Sequence, residues 1–293
     1  VNVPQKSLSG SYVSDMYEKR NEGYDWVGLI VEEVNINTVE IKVRSRADKK
    51  RPSCTFDTKA YKKEEGVYST LVDGKELFFS FTSDSLKIYT QNQEGQDALA
   101  FYCSGGGNFT GNYKKINGQL DQEQVDKTLF SKVLSLQGIS FNISAIAEKD
   151  KNILTVFPYG AEMIAEEYKL EYEGNITGAE IEDLNSDGYP ELGIFTKSED
   201  GMKKGHVYSY SVYGGKSMGL IYLPPVENNS EIIEGYNGHD EFNFVEMYLV
   251  QRFPLFNGKG PTAQPTGVTR QVSYKLVNGE ASRVFEIESV RDY

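Results

Sequence analysis

Histidine, cysteine and tryptophan are scarce in this chain. His206 and His239 are the two histidines, 33 positions apart, and Cys54 and Cys103 are the two cysteines. A zinc site wants several such ligands close together, so zinc chemistry is not expected. A Ser–His–Asp arrangement has His206 or His239 to draw on, and no G-x-S-x-G elbow precedes either. Long apolar runs are missing too. None approaches the roughly 20 residues that a membrane helix needs, so no membrane-spanning segment is expected. No signal peptide begins at Val1, which fits a cytosolic protein or one whose leader has been removed.

Basic charge is also in deficit. The 31 Lys and Arg are outnumbered by 43 Asp and Glu, a formal net charge of −12. Phosphate contacts need basic patches, so nucleic acid is not an expected partner. The excess acid is all in the second part of the chain: 16 basic and 16 acidic residues up to Lys115, then 15 and 27 from Ile116 onward. A solvated acidic surface accounts for this, and so does a surface that steers a basic partner. Glycosidase chemistry needs a chosen pair of carboxylates, and nothing in the sequence selects one. An enzyme is not expected.

What the chain does have is aromatic residues, with 20 Tyr and 15 Phe. These fit pleated, half-buried surfaces. In NTVEIKVRS, Val39, Ile41 and Val43 alternate with Glu40, Lys42 and Arg44, the period of a sheet with one wet face. Asp73-Gly74 sits between two strand-like runs and reads as a tight hairpin turn, after which Leu77, Phe79 and Phe81 face inward. About eight short strands precede Lys115. They predict a small antiparallel barrel over residues 1–115. Gly105, Gly106 and Gly107 do not make a phosphate loop, because no Lys-Ser/Thr and no helix follow. Residues 116–128 are polar and read as a linker. Residues 129–293 return to strand patterns and close on a hairpin at Asn278-Gly279. AEMIAEEYKLE, residues 161–171, is the one segment read as a helix. The expected fold class is all-β: a barrel, then an antiparallel β-sandwich with one short helix.

Cys54 and Cys103 both lie in strand-like segments. An even count in a secreted β-domain fits one disulfide, which would stabilise by roughly 4 kcal/mol in the chain-entropy model. A pair of buried thiols in a reducing compartment fits the same count.

Two local stretches carry candidate chemistry. In DLNSDGYPEL, Asp183, Asn185, Asp187 and Glu191 place oxygen ligands at positions 1, 3, 5 and 9, with Gly188 at the turn, a pattern that suits calcium. The acid at position 12 of an EF-hand is absent, since Ile194 stands there, and the same residue types make ordinary turns. GHDEFNFVEMYLVQRFPLF, residues 238–256, gathers His239, Asp240, Glu241, Glu246 and Arg252. Val245, Met247, Leu249, Phe253 and Leu255 share a face, so this reads as one long strand. His239, Asp240 and Glu241 then lie in its glycine-rich entry and hydrogen-bond a turn. Arg252 reaches Glu246 only if the strand bends.

The run YNGHDEFNFVEMYLVQRFPLF, followed by QPTGVTRQVSYKLVNGEASRVFEI, is similar to the bacterial periplasmic inhibitors of i-type (invertebrate-type) lysozyme. EIEDLNSDGYPELGIFTKS, YGGKSMGLIYLPPV and LSLQGISFNIS look like the middle of the same family. The resemblance spans about residues 129–293; the first part of the chain resembles, faintly, lipocalin-like barrel modules of bacterial envelope proteins. The resemblance implies a twisted β-sandwich that blocks a glycan hydrolase, with a loop entering the enzyme's cleft and occupying its catalytic carboxylates. The matching loop is KSEDGMKKGHVY, residues 197–208. It keeps Ser198, Gly201 and Gly205 and departs at Lys204, where the family's tyrosine is expected. Ser198, Gly201, Lys203, Lys204 and Gly205 are then the inhibitory-loop residues. The partner implied is a lysozyme-like hydrolase, basic in charge, met in the periplasm, at the cell envelope or outside the cell. No cofactor is implied beyond possible calcium. The alternative is a non-inhibitory envelope binding module, with a small ligand in the barrel or calcium at the DLNSDG loop.

Overall fold

The computed structural model of the chain describes residues 7–160, 162–164 and 166–293. The protein is all-β. It divides into two compact units between Lys132 and Val133.

The first unit is a closed antiparallel barrel. Its strands are β1 (Gly10–Val13), β2 (Val27–Asn35), β3 (Thr38–Ser45), β4 (Thr55–Glu64), β5 (Val67–Val72), β6 (Lys75–Phe81), β7 (Ser85–Thr90) and β8 (Gly111–Ile116). Each pairs with the next, and β1 closes on β8 with Tyr12 opposite Lys115. Alternation does what the sequence pattern demands: Val39, Ile41 and Val43 are fully buried, alongside Leu29, Leu77, Phe79, Leu86 and Phe109. These side chains fill the interior. Asp73 (φ 48°) and Gly74 (φ 71°) form the β5–β6 turn, both in the left-handed region that tight hairpins use. The cysteines are joined as a Cys54–Cys103 disulfide.

The barrel departs from the sequence expectation in three ways. A short helix, α1 (Gln93–Leu99), lies between β7 and β8, and Asn92 caps it by accepting the Gly95 N–H at 3.1 Å. Arg44 does not face water. It is buried, pairing with Asp57 at 2.5 Å and donating to the carbonyls of Val43 and Thr128. The segment 116–128, expected as a linker, packs on the barrel instead: Leu120 and Val125 form a small core with Val13, Tyr17 and Trp26. Hydrogen bonds add to this packing: Asp126 donates its backbone N–H to the Ser45 carbonyl, and Gln124 accepts from the Ala47 N–H and the Trp26 indole.

From Thr128 onward three four-stranded antiparallel sheets follow one another, the first strand starting within the first unit and the rest lying in the second. The first has β9 (Thr128–Leu136), β10 (Ile139–Glu148), β11 (Lys151–Tyr159) and β12 (Tyr168–Tyr172). The middle sheet has β13 (Asn175–Glu182), β14 (Glu191–Lys197), β15 (Gly205–Tyr213) and β16 (Ser217–Ile221). The last has β17 (Glu241–Val245), β18 (Tyr248–Asn257), β19 (Gln264–Asn278) and β20 (Arg283–Asp292).

The middle and last sheets pack face to face as a sandwich. Phe195, Val207 and Ile221 meet Phe242, Leu249, Phe253, Val272, Tyr274 and Phe285 in one core. The first sheet meets the opposite face of the middle one, where Tyr172 and Tyr168 contact Tyr208 and Tyr210 edge to face. Every residue from Glu191 to Thr196 is therefore buried. A strand covered on both faces loses the alternation that a half-wet strand shows.

Two readings of this unit are corrected. The described residues of 161–171 form no helix; Ala161 and Ala165 lie outside the described residues. Tyr168–Tyr172 is instead an edge strand paired with β11, with Leu170 opposite Leu154. Tyr168, Leu170 and Tyr172 alternate, and pairing with β11 overrides the helical leaning of the glutamates. The stretch 238–256 is a hairpin and not one long strand. Glu246 adopts φ 54° and reverses the chain, so that Val245 lies opposite Tyr248, and Met247 is exposed. Arg252 faces Glu241 across the hairpin and donates to Gln271 at 2.8 Å, away from Glu246.

Candidate functional site

The β14–β15 loop, Ser198–Lys204, folds on itself before it touches anything else. Ser198 donates its hydroxyl to Oδ1 of Asp200 at 2.6 Å and accepts the Lys204 N–H at 2.8 Å. The same Asp200 oxygen accepts the N–H groups of Met202 and Lys203, each at 3.1 Å. The Ser198 hydroxyl and these two N–H groups hold the Asp200 carboxyl below the usual carboxylate range. Ser198 N–H to Lys204 O, 2.8 Å, closes the neck.

The Gly238-His239-Asp240 segment clamps this loop from the other sheet. His239, at φ 61°, donates its backbone N–H to the Met202 carbonyl at 2.7 Å. Gly238 (φ 81°) passes so close that a Cβ there would stand 2.3 Å from the same carbonyl oxygen. Asp240 is fully buried. Its Oδ2 accepts the Gly205 N–H at 2.8 Å and the Tyr236 hydroxyl at 2.9 Å; its Oδ1 accepts the Gln251 amide at 2.6 Å. Gln251 in turn accepts the Tyr274 hydroxyl at 2.7 Å. Gly205 leaves the room that Asp240 needs, because a Cβ there would stand 2.7 Å from that of Asp240. Burial raises the Asp240 carboxyl above its ordinary range, against the pull of these donors. Burial, and then the neighbouring Asp240, raise Tyr236 as well. His239 itself stacks on Phe256. The backbone N–H of His239 and the carboxylate of Asp240 thus act as a clamp.

Beside the loop opens a groove of about 450 Å³. Its apolar wall comes from Leu223, Pro224, Pro225, Val226 and Phe242, and His206 and Tyr208 form an aromatic side, their rings 4.5 Å apart. Glu173, Asp200, Glu227 and Lys204 supply its charge. Lys204 reaches across to Glu227 at 2.8 Å, and its ammonium keeps the Glu227 carboxyl low. Among the described residues, no side chain pairs with the Glu173 carboxylate.

The five residues read from the resemblance therefore divide. Gly201 and Lys203 are exposed, and open space surrounds Gly201. Ser198 and Gly205 serve the loop's interior, and Lys204 turns to Glu227. Sequence reasoning missed Asp200 as the loop's organiser and Asp240 as its anchor. An Asp two residues after a Ser in a hairpin tip was the signal for the first. The second depends on a pairing across 35 positions and left none.

The DLNSDG residues sit elsewhere in the unit. Asp183 accepts the N–H groups of Asp187 and Gly188, and Asn185 also accepts from Asp187. Positive charge is supplied by Arg283 of β20, which pairs with Asp187 at 2.5 Å and Glu191 at 2.8 Å. Glu191 is wholly buried and also accepts from Ser211 at 2.5 Å and from the Leu184 N–H at 2.9 Å. Burial pushes its carboxyl up to about 7, against those two hydrogen bonds and the Arg283 charge.

A scan against protein-family models found no match for this sequence, and a search of curated proteins found none either.

Proposed function

We propose that the second unit binds a lysozyme-like glycan hydrolase at the cell envelope and blocks it by placing the β14–β15 loop in the enzyme's cleft. The observation that carries this reading is the knot made by Ser198 and Asp200. A loop already fixed by four hydrogen bonds to two side-chain oxygens loses little conformational entropy on docking, so binding need not rest on a large interface. The loop offers Lys203 as an exposed cation for an enzyme carboxylate, in place of the engaged Lys204. The acid excess of the second part of the chain favours a basic partner and speeds its approach. In this reading the chain is a binder and carries out no reaction of its own.

The test is the rate of cell-wall lysis by a panel of lysozymes of different types, with and without the purified full chain. Slowing of at least one lysozyme, weakened in Lys203→Glu, supports the proposal. If every lysozyme lyses the walls at its unhindered rate, the proposal is wrong.

A further inference from the structure

The groove beside the loop has a chemistry of its own. Three carboxylates, of Glu173, Asp200 and Glu227, line it against one ammonium, Lys204. Oδ1 of Asp200 is taken by the loop's own donors, and Glu227 is held by Lys204. The Glu173 carboxylate is exposed, with no hydrogen-bonding or ion-pair partner among the described residues. Between these acids run an aliphatic wall, Leu223 to Val226, and an aromatic side, His206 and Tyr208. An anionic rim above an apolar and aromatic lining matches a cation carried on an aliphatic stem. Lys204 shows the match from within the chain: its own ammonium lies on Glu227 at 2.8 Å, at the edge of a groove that still keeps about 450 Å³ of space.

We infer that the groove receives an arginine side chain from the surface of the docked partner protein. The guanidinium exchanges for the Lys204 ammonium on Glu227, lies against Tyr208, and turns its remaining donors to Glu173. Arginine suits this better than lysine. Its planar fork pairs with carboxylates two donors at a time and stacks on aromatic rings, whereas an ammonium is a hydrated point charge. The volume is within the roughly 300–1,000 Å³ common for ligand sites, ample for one side chain. The inference rests on the reading that this end of the unit meets a protein partner. It adds a second point of attachment beside the loop.

The experiment uses the full chain and N-acetyl-arginine amide, followed by NMR chemical-shift titration. N-acetyl-lysine amide and N-acetyl-citrulline amide serve as the weaker cation and the neutral isostere. Saturable shifts for the arginine probe, confined to groove residues and stronger than for the other two, support the inference. Glu227→Gln should weaken the arginine probe about tenfold, the scale of a lost charge-assisted pair. Lys204→Met should tighten it severalfold by freeing Glu227. No saturable shift with the arginine probe, or equal binding of the citrulline probe, overturns the inference. So does undiminished binding by a folded Glu173→Gln/Glu227→Gln double variant. The hydrolase reading is scored separately by cell-wall lysis, so either failure is recognised for what it is.

Discussion

Gly205 donates its backbone N–H to the buried carboxylate of Asp240 across 35 positions of sequence, at 2.8 Å. This one bond ties the root of the exposed loop to the core of the sandwich. Asp240 holds Tyr236 and Gln251 by the same carboxylate, so the loop root and two core side chains share one acceptor.

Asp240→Ala leaves two buried donors, of Tyr236 and Gln251, and the half-buried Gly205 N–H without an acceptor, and should destabilise the second unit by about 3 kcal/mol, since each orphaned buried polar group costs roughly 1–3 kcal/mol. Asp240→Asn, which keeps the shape and one acceptor oxygen, should cost less than half of that. Urea unfolding of the full chain, followed by a probe in the second unit, measures both.

Gly205→Ala should be damaging for a different reason. The new methyl would stand 2.7 Å from the Asp240 Cβ and 2.8 Å from the Phe242 ring. Overpacking of this kind costs about 1–3 kcal/mol. Gly201→Ala, in open space at the tip, should leave the melting temperature unchanged. The pair separates a packing glycine from a free one within a single loop.

Stability should fall as pH rises from about 4.5 to about 7. Glu191 binds its proton more tightly folded than unfolded, so its contribution is complete below the unfolded value of 4.5 and is lost on passing through about 7. Holding a carboxyl at about 7 when the unfolded chain holds it at 4.5 is worth on the order of 3 kcal/mol. Asp240, raised by burial, acts in the same direction. Urea midpoints measured across this range should show the decline, and Glu191→Gln should flatten it. A profile as steep in the variant as in the wild type would remove Glu191 from the explanation.

Asp200→Ala should act on binding and leave the fold alone. Asp200 is exposed, so global stability should change little, while the amides of Met202 and Lys203 lose their acceptor. Faster hydrogen exchange at those two amides and about tenfold weaker inhibition of the target hydrolase are the expected readouts.

Reducing the Cys54–Cys103 disulfide should loosen the barrel by about 4 kcal/mol, the loop-closure value for a separation of 49 residues. Thermal unfolding with and without reductant, followed by Trp26 fluorescence in the barrel, measures the loss.

Alternation was the legible part of the sequence. Val39, Ile41 and Val43, or Val272 and Tyr274 before Asn278-Gly279, point inward because a pleat leaves them no other choice. Val245, Met247 and Leu249 keep the same rhythm straight through a turn, since nothing in the letters announces that Glu246 takes a positive φ. The helical reading of 161–171 weighs local propensity, and an edge pairing with β11 outweighs it. In the loop, similarity draws attention to Ser198, Lys204 and Gly205, but their work is set by partners that lie elsewhere in the chain: Gly205 answers to Asp240, and Lys204 to Glu227. Such pairings are properties of the fold, and a linear pattern cannot display them.

The burial of β14 on both sides has a further consequence for how this chain comes to be. A slab with two dry faces has no soluble intermediate of its own: stripped of either neighbour, it would present Leu192 and Ile194, or Phe195, to water. Truncation after Pro225 should therefore yield insoluble material and not a smaller stable fragment. During synthesis the middle sheet must wait for β20, the final strand of the sheet it packs against, before its assembly is complete.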